Sequence, residues 1–141
     1  MGKRTERPMG FFVLTAWLAT LCQGRPREVV SLYMPNAVLV PTFAEIRIGR
    51  EEILDYFQVF MSRTGLCGQI DNWVEQPIDP RPIIWDVPVA SVVSGVYTFG
   101  WHSPDGGQEA AKARFSMVVA RAADGYKIIN HHSSALPPTY H

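Results

Sequence analysis

The adjacent pair His131-His132 is the part of the chain whose chemistry is easiest to name, because imidazole titrates near neutrality and serves as base, acid or metal ligand. The run Gly125 to Ser134 alternates like a strand. Neighbouring residues on a strand point to opposite faces, so the two rings cannot enter one site or share one zinc ion. Either one of them lines a cavity, the assignment made for His132, or both hydrogen-bond structurally within the sheet or an interface. The other strand-borne candidates for a general base are Asp71, Glu75 and Asp86, with Tyr97 as a hydrogen-bond donor, and together they form no recognisable acid-base set. Arg114 falls in the middle of a strand, where a long cation in a sheet interior wants a carboxylate partner within or between subunits, or an anionic ligand. Cys22 and Cys67 stand far apart with no CxxC and no metal-ligand spacing. Both read as reduced thiols, which points to an intracellular, cytoplasmic setting.

These residues must be positioned by three helices followed by strands. Phe11 to Cys22 is apolar at helical spacing and stops at Gly24. Lys3, Arg4 and Arg7 before it give the outline of a signal peptide, but the run is too short to span a bilayer and no clear cleavage site follows. Pro26 to Tyr33 reads as a second short helix, Met34-Pro35-Asn36 as a turn, and Ala37 to Val40 as a first strand. Gly49-Arg50-Glu51-Glu52 opens a third helix whose Ile53, Leu54, Tyr56, Phe57, Phe60 and Met61 form a wide apolar stripe. Strands are expected at 69–76, 90–101, 109–121 and 125–134, with turns at 103–107 and 123–125 and a proline-rich insertion at 77–88.

The expected fold is α+β, with N-terminal helices packed on a curved antiparallel sheet and a conical cavity between the first helix and the concave face. With 47% hydrophobic content in 141 residues there is material for one core and one domain. Thirteen basic and thirteen acidic residues cancel, which removes the electrostatic footprint of a nucleic-acid or membrane-surface protein. Val93, Tyr97, Phe99 and Trp101 share one face of their strand, and Ala113, Phe115, Met117 and Val119 one face of the next. The opposite faces carry Val92, Ser94, Val96 and Thr98, and Lys112, Arg114, Ser116 and Val118. A solvated face should be more polar, so this half-apolar face suggests burial against another subunit. The aromatic set Trp17, Tyr56, Tyr97, Phe99 and Trp101 reads as core or as a ligand box.

Certain stretches carry a resemblance: Ala16-Trp17 before Gly24, Leu32-Tyr33 and Pro35 to Thr42, Gly49-Arg50 with Ile53, Tyr56, Phe57 and Phe60, then Ala113-Arg114-Phe115. With the ending Asn130-His131-His132-Ser133-Ser134-Ala135-Leu136-Pro137, the chain resembles stand-alone relatives of the association (hub) domain of calcium/calmodulin-dependent protein kinase II, in the nuclear-transport-factor-two-like superfamily. The likeness implies residues 1–10 as a tail and 11–138 as the domain, a cone-shaped fold, no cofactor, and dimers that assemble into a ring. Implied partners are further copies of the chain and a calmodulin-dependent kinase or another hub-domain protein. No Gly-rich loop with strand lysine, His-Arg-Asp loop or Asp-Phe-Gly occurs in the sequence, so the chain itself holds no kinase machinery. The cavity lining on this reading is Trp17, Tyr56, Tyr97, Met117, His132 and Ser133. Kinase hubs carry cavity arginines at the positions aligned with Tyr97, Met117 and Ser133, and their replacement puts hub-like carboxylate binding in doubt. The superfamily also hosts small cavity enzymes of the ketosteroid isomerase or polyketide cyclase sort, which is the alternative function.

Overall fold

The computed structural model describes residues 9–78 and 89–137. Its elements run α1 (Met9–Cys22), α2 (Pro26–Ser31), β1 (Tyr33–Val40), β2 (Arg47–Ile48), α3 (Arg50–Phe60), β3 (Thr64–Pro77), β4 (Ala90–His102), β5 (Gln108–Ala122) and β6 (Gly125–Ala135). The strands form one six-stranded sheet in the order β2-β1-β6-β5-β4-β3. All neighbours are antiparallel except β1 and β6, which run parallel. The sheet is therefore antiparallel with one parallel seam, made possible because α3 and the long meander separate the two strands in sequence. The proline-rich insertion and Asp86 fall at 79–88 for the most part, outside the described residues.

Local chemistry explains the helix limits. α1 ends where Gly24 takes φ 73° and its N–H bonds back to Leu21 O at 3.0 Å. Pro26 starts α2 at a position where a missing N–H costs nothing. α3 begins after Gly49, whose φ of 87° an L side chain rarely tolerates, and carries Glu51 and Glu52 in its first turn. Its buried residues Ile53, Tyr56, Phe57 and Phe60 follow the 3.6-residue period. α1 has no acid in its own first turn, and the strand supplies one: Glu75 of β3 accepts from Gly10 N at 2.7 Å and Phe11 N at 2.9 Å. A Cβ at Gly10 would lie 3.0 Å from Glu75 Oε2, so glycine there permits the close approach.

β1 starts at Tyr33, earlier than the turn expected at 34–36. Its register against β6 shifts between Tyr33 and Val38, and that irregularity accommodates Pro35 within the strand. The helices cover the inner face, where Trp17 and Leu14 of α1, Phe57 of α3 and Tyr97, Phe115 and Met117 of the sheet are buried. α1 and β3 are also joined covalently, since Cys22 and Cys67 form a disulfide. The expectation of two reduced thiols is thus overturned, and with it the argument for an intracellular compartment. Spacing along the chain could not reveal the pair, because the end of α1 meets the start of β3 only after the layers pack. No helix among the described residues is long and apolar enough to cross a membrane.

Candidate functional site: a closed hydrogen-bond chain in the cone

His131 stands on β6 at the centre of the inner face and is 1% exposed. Trp17 of α1 meets its ring edge to face at 5.3 Å between centroids. Tyr33 Oη lies 2.8 Å from His131 Nδ1, and Tyr97 Oη lies 3.2 Å from Nε2. Trp17 Nε1 donates to Tyr33 Oη at 3.1 Å, and Tyr97 Oη donates to Ser133 Oγ at 2.7 Å. Thr42 Oγ1 completes the series 2.5 Å from Ser133 Oγ.

Donor and acceptor counting gives this chain a direction. Indole nitrogen can only donate, so Tyr33 accepts from Trp17 and turns its own hydrogen to His131 Nδ1. Tyr97 gives its hydrogen to Ser133, so its oxygen accepts from His131 Nε2. One neutral tautomer, with hydrogen on Nε2, satisfies both sides. Burial, aided by the charge of His132, pushes His131 down to about 3, so the ring is neutral at ordinary pH. Burial also raises Tyr97 and Tyr33 above the usual phenol range. The interior therefore holds a histidine with both nitrogens engaged and two tyrosines that resist ionisation.

Beside the chain lies a cavity of about 20 Å³, with room for about one water molecule. Trp17, Tyr56, Tyr97 and Ser133 line it, with Ala111 and Ala113 on the sheet floor. Met117 shares the inner face but is packed into the core instead of the cavity wall. His132 does not line it: the side chain is exposed on the outer face, and His131 takes the inner position. Arg114 is exposed on the outer face, opposite Val96 and Ser134, so it is not in a sheet interior. Asp71 also faces outward. Burial works to raise it, but hydrogen bonds from Thr98 and Gln69 and the nearby Lys112 hold it below the usual carboxylate range. Glu75, a further candidate base, is occupied as the cap of α1 and by Ser91 Oγ at 2.7 Å.

Sequence reasoning missed Tyr33, Thr42 and His131. The signal for His131 lies in parity. Ile128 is buried, and simple alternation would carry Asn130 and His132 inward with it. A bulge intervenes: Val119 pairs with Ile128 but Val118 pairs with Asn130, so one residue of β6 is extra and the parity flips. His131 and Ser133 then face the core. Among the described residues no group of three His, Cys, Asp or Glu could hold a metal ion.

N-terminal helices packed on one face of a six-stranded sheet are the architecture of the nuclear-transport-factor-2-like, cystatin-like class. A protein of that superfamily from Salmonella enterica superposes with a TM-score of 0.74 at 17% identity, over 92% of this chain and 89% of its own. A candidate dehydratase of the same family from Streptomyces avermitilis gives 0.76 at 16% identity, over 91% and 94%. Within the class the assignment is narrower. The sequence model of the calcium/calmodulin-dependent protein kinase II association domain matches residues 11–137, and the chain belongs to that family. A candidate association domain from Xanthomonas campestris is 30% identical over 99% of both chains, with a TM-score of 0.79. No curated protein sequence is significantly similar to it.

Proposed function

We propose that the chain is a self-assembling association module in which copies pair through the outer face of the sheet and the pairs close into a ring of more than four subunits. The observation that carries the reading is the composition of that face. Across β4, β5 and β6 it presents Val92, Val96 and Val118 half-buried beside Ser94, Ser116 and Ser134. Val74 of the edge strand β3 continues it at 64% exposure. Small and β-branched residues of this kind make a flat, desolvatable surface, and symmetry lets the same patch serve both partners. Arg114 lies on this face between Val96 and Ser134, where a carboxylate of the neighbouring copy would add to the interactions it already makes. Further copies of the chain are the partner this face fits, and a kinase hub carrying an equivalent face is the second.

The interior supports the same reading, because His131, Tyr33 and Tyr97 satisfy one another, so His131 is not held ready as the base of a cavity enzyme of the isomerase or cyclase kind. Native mass spectrometry at several concentrations tests it. The parent should run above four subunits, Val96→Asp should fall to smaller species, and Arg114→Ala should dissociate at higher concentration than the parent. A parent that stays monomeric at micromolar concentration would remove the proposal.

A further inference from the structure

A second concavity, of about 140 Å³, opens between the loop after β1 and helix α3. Its walls are Phe43 of the loop, Arg47 of β2, Tyr56, Val59 and Phe60 of α3, and Arg63 just beyond. Phe43, Tyr56 and Phe60 also line the inner cavity, so this cleft lies over the aromatic wall of the cone. At its rim Phe43 and Val59 are 51% and 69% exposed.

Two cations flank the cleft and both rest on rings. The Arg47 guanidinium lies 5.9 Å from the Tyr56 centroid. That of Arg63 lies 5.1 Å from Phe60, 5.2 Å from Trp101 and 5.9 Å from Phe43. Their hydrogen bonds go to neutral backbone carbonyls: Arg47 to Glu45 O at 3.3 Å and Glu52 O at 3.4 Å, Arg63 to Phe60 O at 3.2 Å. The carboxylate of Glu52 accepts from Ile48 N at 2.9 Å. Arg25, Lys112 and Lys127 each have a carboxylate within 4 Å, whereas among the described residues Arg47 and Arg63 have none. Both charges act on the Tyr56 hydroxyl, pulling it down against the burial that carries it to about 12. Two half-buried like charges therefore share one aromatic floor, and among the described residues neither forms an ion pair.

We propose that this cleft binds a small arene carboxylate, its carboxylate between Arg47 and Arg63 and its ring against Phe43, Tyr56 and Phe60. The chemistry of each part is matched. Guanidinium forks pair with planar carboxylates, and a cavity near 150 Å³ takes one benzene-sized ring. Ring and charge are both required, because either alone leaves half of the cleft unfilled.

Benzoate is the probe, titrated into the purified full chain and followed by protein-observed NMR, with benzamide, acetate and inorganic phosphate as comparators. Benzoate should bind saturably, with each comparator weaker by roughly tenfold or more, the scale of one charged hydrogen bond or one lost ring. Arg47→Gln and Arg63→Gln should each weaken benzoate by roughly tenfold or more while melting temperature and oligomeric mass stay at the parent's values. Absence of saturable benzoate binding, equal binding of benzamide or phosphate, or indifference to both substitutions overturns the proposal. Should Arg63→Gln fail to fold, the parent's own ranking of the four probes and Arg47→Gln still decide it. Assembly is read separately by mass, so this inference and the ring reading stand or fall independently.

Discussion

On the inner face of β4, β5 and β6, Tyr97, His131 and Ser133 are bonded to one another and to Tyr33 and Thr42, within the same chain. On the outer face of the same strands, half-buried valines stand beside serines, with Ser94 and Ser116 paired at 2.9 Å. The strands are shared and only the parity differs. A polar group under the helices has no water to fall back on, so its partners must be built in and its titration suppressed. A polar group on an exposed face can bond to water instead, so its partners need not be built in. The inner hydrogen-bond chain is thus a structural device, held wholly within one copy.

That contrast is broken most sharply by the adjacent histidines. His131→Leu should destabilise by about 2–5 kcal/mol, because the Tyr33 and Tyr97 hydroxyls each lose a buried partner, whereas His132→Leu should stay within about 0.5 kcal/mol. Chemical denaturation of the two variants measures both. Similar losses would mean that the two faces are not so different.

A smaller effect is expected at the seam between the layers. Reducing Cys22–Cys67, which closes 45 residues of sequence, should cost about 2–4 kcal/mol by releasing constraint on the unfolded chain. The oligomeric mass should not change, since the disulfide lies away from the outer face. A thermal melt with and without reductant, paired with native mass spectrometry, separates the two readouts.

The smallest effect, per step, is in pH. His131 falls from its ordinary 6.5 to about 3 in the folded chain, so folding favours the neutral ring. Its contribution is complete above about pH 6.5 and drains away as pH falls toward 3, at up to about 1.4 kcal/mol per unit. Stability of the parent measured against His131→Gln across pH 7 to 4 should show the parent losing more over that window. Parallel profiles would place water beside the ring.

Much of this arrangement is legible in the residues themselves. Glu51 and Glu52 ahead of Ile53, Tyr56, Phe57 and Phe60 announce α3 and its buried stripe, because charge and a 3.6-residue period act locally. The alternation through Val93, Tyr97 and Phe99 separates inner from outer face on β4.

What the sequence by itself determined is therefore the elements, the helix-to-sheet order, the two-faced strands and the family. Tertiary structure alone decided the rest. The parity at His131 and His132 depends on a bulge opposite Val118 and Val119, and a period of two cannot count a residue that pairing leaves over. The disulfide and the parallel β1–β6 seam join residues far apart in sequence, and such contacts exist only once the layers have closed. The Arg47/Arg63 cleft has the same origin: residues on two elements share its aromatic rings only because α3 packs beside the loop that follows β1.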